Sequence, residues 1–288
     1  MDEGMTEART QTLDRLRAIC ARDSPVDIAE AALLLSAARQ PALDLDPYRQ
    51  HLATLVAEVA DLVRRRRAPL EAMRQILAAS YGYRGDRETY DDLQNADLAR
   101  VIDRRKGLPV ALSVIWMHVA RAQGWRAAGL SFPGHFLLRI DAGAGAEIVD
   151  PFDEGASRSA PELRALLKSA AGQDAELTPD HVAEVDDRDV LLRLENNSKG
   201  RLLRAADVAG ALAVMERMTA IAPNRAELWY EMGTIAERAE SVGAAIRAYD
   251  RFLALTDTPH PDPERAALHE RARRQAGDHL RDLRRRLN

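Results

Sequence analysis

Apolar residues recur at helical spacing from early in the chain. Leu13, Leu16 and Ile19 share one face within Gln11–Arg22, behind a polar Met1–Arg9 read as a frayed end. Asp23-Ser24-Pro25 reads as a helix start, followed by a face of Ile28, Ala31, Ala32, Leu35 and Ala38. A third pattern runs from Pro47 through Leu52, Leu55, Val59 and Leu62 to the Arg64–Arg67 run, which suits a solvated helix C-terminus. Pro69 restarts it with Leu70, Met73, Ile76 and Leu77, and Asp97–Arg105 is helical with Leu98, Val101 and Ile102 inward.

The pattern then changes. Pro109–Gln123 is apolar on almost every side, as Val110, Leu112, Val114, Ile115, Trp116, Met117 and Val119 show. A helix without a wide polar face belongs inside a domain. Pro109 suits its first turn and Gly124 its end. Two strand-like runs follow, His135–Ile140 and Glu147–Asp150, with the glycine-bearing Asp141–Ala146 between them as a hairpin turn. An antiparallel register whose paired positions sum to 285 puts His135 opposite Asp150 and Ile140 opposite Gly145.

Beyond Asp150 the strands stop. Ser159-Ala160-Pro161-Glu162 opens a helix ending near Ala171, and Pro179–Asp189 is an acidic connector. From Val190 the chain is helical, with a self-match at 34 residues: Ala211 with Ala245, and Met215 with Tyr249. Trp229, Gly233, Ala245 and Tyr249 fit the tetratricopeptide pattern, with Glu195 and Lys199 standing at the Trp and Gly places of the first unit. Two units are few for a free stack, so a helix within His260–Leu287 is expected to cap them or the units to pack on the core. The expected use of such repeats is to take a protein or peptide partner in a helical groove, with Trp229 and Tyr249 as binding residues.

Composition narrows the classes. The chain has 288 residues, a net charge of −4 and one cysteine, Cys20. That charge gives no reason to expect nucleic acid, no run has the length of a membrane span, and a single Cys makes no internal disulfide. The acidic, polar N-terminus is no signal peptide, so the expected place is the cytoplasm. The excess of Arg over Lys and the Ala content fit a GC-rich bacterial genome. Asp91 and Asp92 lack a third ligand at metal spacing, so no metal and no cofactor are expected.

The candidate chemistry is the His135–Asp150 pair. A histidine beside a carboxylate is the orienting half of a nucleophile–His–Asp triad, yet such a pair can also serve only to pin two strands or hold a ligand. The order helix, strand with His, strand with Asp resembles the transglutaminase-like, papain-related fold. Asp103-Arg104-Arg105-Lys106-Gly107-Leu108-Pro109, Pro133-Gly134-His135-Phe136 and Asp150-Pro151-Phe152, followed by repeats, resemble its SirB-type branch over Asp27 to Leu255. The resemblance implies a Cys nucleophile at the start of the buried helix, where this chain has Pro109. Ser113, one turn on, is the weak alternative nucleophile. The glycine-punctuated loop from Tyr81 to Asn95 resembles one lying over the site in related proteins, which makes Tyr83, Tyr90 and Asn95 candidate wall residues.

The expectation is therefore an α+β, transglutaminase-like core over 69–175, an N-terminal helical segment over 1–68, and an all-α tetratricopeptide-like domain over 187–288. The expected function is non-catalytic protein binding or scaffolding. The alternative is an amide hydrolase or acyltransferase using His135 and Asp150 with Ser113 or an unconventional nucleophile.

Overall fold

The computed structural model describes residues 3–21, 26–143, 145–258 and 262–287. It divides into two compact units, Met1–Leu194 and Glu195–Asn288. The expected helix start at Asp23-Ser24-Pro25 and the turn at His260-Pro261 lie outside the described residues.

The first unit opens with α1 (Glu3–Cys20), α2 (Ile28–Arg39) and α3 (Asp46–Arg64). α1 begins at Glu3, so Glu3–Arg9 of the expected frayed end is helical instead, with Leu13, Leu16 and Cys20 buried further along. Asp27 caps α2, its carboxylate accepting from Glu30 N at 3.1 Å. α4 (Pro69–Met73) runs into a π-helical stretch, Arg74–Ser80. β1 (Arg84–Gly85), a 3₁₀ turn at Leu93–Ala96, α5 (Leu98–Arg104) and β2 (Lys106–Gly107) lead into α6 (Pro109–Ala122). β1 and β2 pair in parallel.

α6 is the element the periodicity marked as interior, and ten of its residues are buried. It packs against α2 and α3, and against the five-stranded sheet. That sheet is built from β3 (Arg126–Leu130), β4 (Leu137–Asp141), β5 (Ala146–Asp150), β6 (Ala156–Ser157) and β7 (Glu184–Val185), in the order β6-β5-β4-β3-β7. α7 (Ala160–Ala171) sends Leu163 and Leu167 into a smaller cluster with Leu130, Phe132 and Leu137. Gly155 lets the chain leave the sheet: its φ is +78°, and an added Cβ would lie 2.0 Å from the Trp116 ring.

The hairpin corrects the expected register. Leu138 pairs Val149 and Asp141 pairs Ala146, so partners sum to 287 rather than 285. Two local causes produce the shift. Asp141 joins the strand and closes a tighter turn, its Oδ1 accepting from Gly143 N at 2.9 Å. At the other end, His135 N donates to Phe132 O at 3.1 Å, a turn that withdraws His135 from the strand.

The second unit begins within α8 (Asp187–Arg204). It continues as α9 (Val208–Ile221), α10 (Ala226–Arg238), α11 (Val242–Leu255) and α12 (Pro263–Leu287). α9, α10, α11 and α12 pack each on the next. The 34-residue self-match is a packing match: Ala211, Met215, Ala245 and Tyr249 are all fully buried. At the places where the first repeat departs from the pattern, a charged residue stands and is paired. Glu195 pairs with Arg217 at 2.8 Å, and Lys199 with Glu231 at 2.6 Å. The first unit includes residues up to Leu194 because they belong to the sheet's surroundings. A Cβ on Gly129 of β3 would meet Val190 at 3.1 Å, and Arg121 of α6 pairs with Asp187 at 2.8 Å.

Candidate functional site

The start of α6 is tied down by the loop before it. Leu108 N donates to Asn95 O at 2.9 Å, which sets the entry to Pro109 at the first helical position. Asn95 is fully buried, donating from Nδ2 to Thr89 O at 2.6 Å and accepting from Arg104 Nη1 at 2.9 Å. Asp86 anchors the other end of the loop. Its carboxylate accepts from Thr89 N at 2.9 Å, Thr89 Oγ at 2.5 Å and Arg104 Nη2 at 2.9 Å, with Lys106 Nζ at 3.4 Å. Burial alone would raise its pKa. The Thr89 donors and the Lys106 ammonium outweigh that and hold it well below the usual carboxylate range.

The two candidate catalytic groups are not joined. Asp150, 4% exposed, accepts from Arg158 Nη2 at 2.8 Å and from Phe152 N at 3.1 Å. Across the sheet Asp150 is paired with Ala156. The His135 ring stands edge-on to Phe132, with centroids 6.4 Å apart, while its carbonyl accepts from Arg193 Nη2 at 3.0 Å. Arg193 also donates to Ser131 Oγ at 3.2 Å and lies over the Phe136 ring, where burial pushes its pKa down. Ser113 is fully buried, and its hydroxyl donates back to Pro109 O at 2.8 Å. Cys20 lies in α1, where burial pushes its thiol up to about 11.

The expected wall residues separate. Tyr90 is 44% exposed and meets Phe152 edge-on at 6.0 Å. Tyr83 is buried, its hydroxyl within 2.8 Å of His51 Nε2 and 2.5 Å of Arg105 Nη1. In the repeats, Tyr249 cannot line a groove. It is fully buried beneath Gly233, with its hydroxyl donating to Glu237 at 2.5 Å, because the close approach of α10 and α11 needs a large side chain there. Trp229 is half-buried and donates to Pro223 O at 2.8 Å, closing the turn before α10.

A cleft of about 550 Å³ here is bordered by Tyr230, Phe252, Leu268 and His269, with the charged Glu227 and Arg265 also on its lining. Sequence reasoning passed over Arg158, Asp86 and Arg193. Arg158 has no short-range signature, whereas Asp86 with Thr89 is a readable turn pattern. Among the described residues no group of three His, Cys, Asp or Glu side chains is placed to hold a metal ion, and no helix is long and apolar enough to cross a membrane.

Comparison with known proteins agrees with this architecture. The transglutaminase-like superfamily matches residues 46–196, and the tetratricopeptide repeat family matches residues 199–275. A UPF0162 protein of Vibrio cholerae is 30% identical over 241 residues, covering 82% of this chain and 88% of the relative. One from Xylella fastidiosa is 29% identical over 250 residues, covering 83% and 87%. Human F-box only protein 21 is 34% identical over 84 residues, 29% of this chain and 13% of that protein. No solved structure matches. With more than half its length matched, this chain belongs to the transglutaminase-like superfamily and carries tetratricopeptide repeats after that domain.

Proposed function

We propose that this chain is a non-catalytic, protein-binding scaffold in which the transglutaminase-like domain has lost its nucleophile at Pro109. The observation that carries the reading is the Asp150–Arg158 ion pair at 2.8 Å. A carboxylate satisfied by a guanidinium and a backbone N–H is not orienting an imidazole, so His135 lacks the partner a general base needs. Pro109 has no nucleophilic atom, and the Ser113 hydroxyl is committed to a backbone carbonyl one turn away. Partner binding is assigned to the repeats, at the cleft between α10 and α12, where Leu268 is 66% exposed beside Tyr230 and Phe252. An amphipathic helix laying an apolar stripe there is the class of partner that fits.

The test is covalent labelling of the full chain with a fluorophosphonate and with iodoacetamide, read by mass spectrometry. The expected result is no modification in α6 or at His135, with Cys20 reacting slowly as a buried, high-pKa thiol. Labelling that persists in Cys20→Ala and vanishes in His135→Ala overturns the reading in favour of an acyl-transfer enzyme.

A further inference from the structure

The run Arg104-Arg105-Lys106 treats its three cations differently. Arg104 reaches Asp86 at 2.9 Å and Asp92 at 4.0 Å, and Lys106 reaches Asp86 at 3.4 Å and Glu88 at 3.8 Å. Arg105, between them, has no carboxylate at ion-pair distance among the described residues. Its Nη1 instead donates to Tyr83 Oη at 2.5 Å and to His51 Nε2 at 2.7 Å. Its guanidinium lies over the rings of Tyr83 and Tyr81, at 5.1 and 5.7 Å. His51 is held neutral, burial and the nearby Arg105 charge bringing its pKa down to about 4, so its ring nitrogen can accept. Arg105 ends α5 with φ at +60°. Other helix ends in this chain do the same, so the backbone alone marks nothing. The fixed guanidinium with donors left over does.

Arg105 borders a cleft of about 470 Å³. Its other polar side chains are His51, Tyr48, Asp44 and Asp103, and its apolar surface comes from Leu43, Pro47 and Ile102. Among the described residues, Asp103 accepts only from the Tyr48 hydroxyl at 3.2 Å and stands 3.7 Å from Arg100, while Asp44 Oδ1 accepts from Asp46 N at 3.0 Å. Both are exposed and hold unspent acceptors. One preorganised cation and two carboxylates around a single opening do not suit a simple anion, which the carboxylates would repel. They suit a ligand that carries both charges.

We propose that this cleft binds the zwitterionic head of an α-amino acid with an apolar side chain. Its carboxylate takes the Arg105 N–H groups, its ammonium faces Asp44 and Asp103, and its side chain lies on Leu43, Pro47 and Ile102. The volume is ample for a ligand of that size.

The test uses L-leucine as the probe on the full chain, by calorimetry and ¹⁵N chemical-shift mapping. The expected result is saturable binding below about 10 mM, with shifts at Tyr48, His51 and Arg105. N-acetyl-L-leucine and L-leucinamide, each missing one charge, should bind at least roughly tenfold more weakly. Leucyl-leucine, whose two charges stand too far apart, should also lose affinity. Arg105→Gln should abolish binding, and because it can disturb the Tyr83 packing, Asp44→Asn serves as the fold-preserving variant and should weaken leucine but not N-acetyl-leucine. Lack of saturation, or equal binding of leucine and its acetyl derivative, overturns the proposal. So does leucine affinity unchanged in Asp44→Asn. None of these outcomes bears on labelling in α6, which tests the scaffold reading separately.

Discussion

Arg158 Nη2 lies 2.8 Å from Asp150 Oδ2, and it also reaches Asp153 Oδ2 at 2.6 Å. One guanidinium thus ties the end of β5 to the turn that follows it. Asp150 is nearly fully buried, so its charge is sustained by this neighbour rather than by water. Removing the arginine while keeping the acid leaves a buried carboxylate with one backbone donor. Arg158→Met should cost about 2–3 kcal/mol in urea denaturation, and pairing it with Asp150→Asn should recover most of that. A cycle with no coupling between the two positions would mean that Asp150 is sustained by something else.

Gly155 and Gly124 share a left-handed backbone but differ in surroundings. A Cβ at Gly155 would strike Trp116 at 2.0 Å, whereas one at Gly124 meets nothing within 4 Å. Gly155→Ala should cost more than about 3 kcal/mol through displacement of the core tryptophan, and Gly124→Ala only about 1 kcal/mol. Thermal unfolding of the two variants side by side gives the comparison. Equal losses would show that Trp116 can move aside.

His51 makes stability depend on pH. Its folded pKa of about 4 lies below the ordinary 6.5, so the unfolded chain binds a proton first as pH falls. The penalty is absent above about 6.5, grows as pH drops, and levels off below about 4. Because the ring is only partly buried, the loss should be on the order of 1–2 kcal/mol. Denaturation of wild type and His51→Gln at pH 7 and pH 4.5 should show the extra loss in wild type alone. Parallel losses would remove His51 as the cause.

Glu195 is fully buried and its partner Arg217 is 5% exposed. Arg217→Met should destabilise by about 3–5 kcal/mol, because it takes the guanidinium at 2.8 Å away from a buried carboxylate. Glu195→Leu with Arg217→Met should restore stability to near wild type, since an apolar pair of similar volume needs no desolvation of ions. Circular dichroism melts decide this, and a double variant as unstable as the single one would contradict it.

Periodicity alone determined which helix is interior, because α6 has no face polar enough for water. It also fixed α7 through its Ser159 cap and located the repeats, since an Ala at 211 and 245 and a large residue four positions on must meet a neighbour in any such stack. That a proline opens α6 at position 109 is a matter of residue identity and needs no coordinates. What the sequence did not contain was the register. A two-residue shift keeps each side chain on its face, so the apolar pattern of β4 and β5 fits 285 and 287 equally. The shift was decided by an Asp141 turn bond and a backbone turn at Phe132. Likewise, Trp229 and Tyr249 are surface or core only according to how α10 meets its neighbours. The choice of Arg158 over His135 as partner of Asp150, and the isolation of Arg105 between two paired cations, arise from contacts between segments, which local composition does not encode.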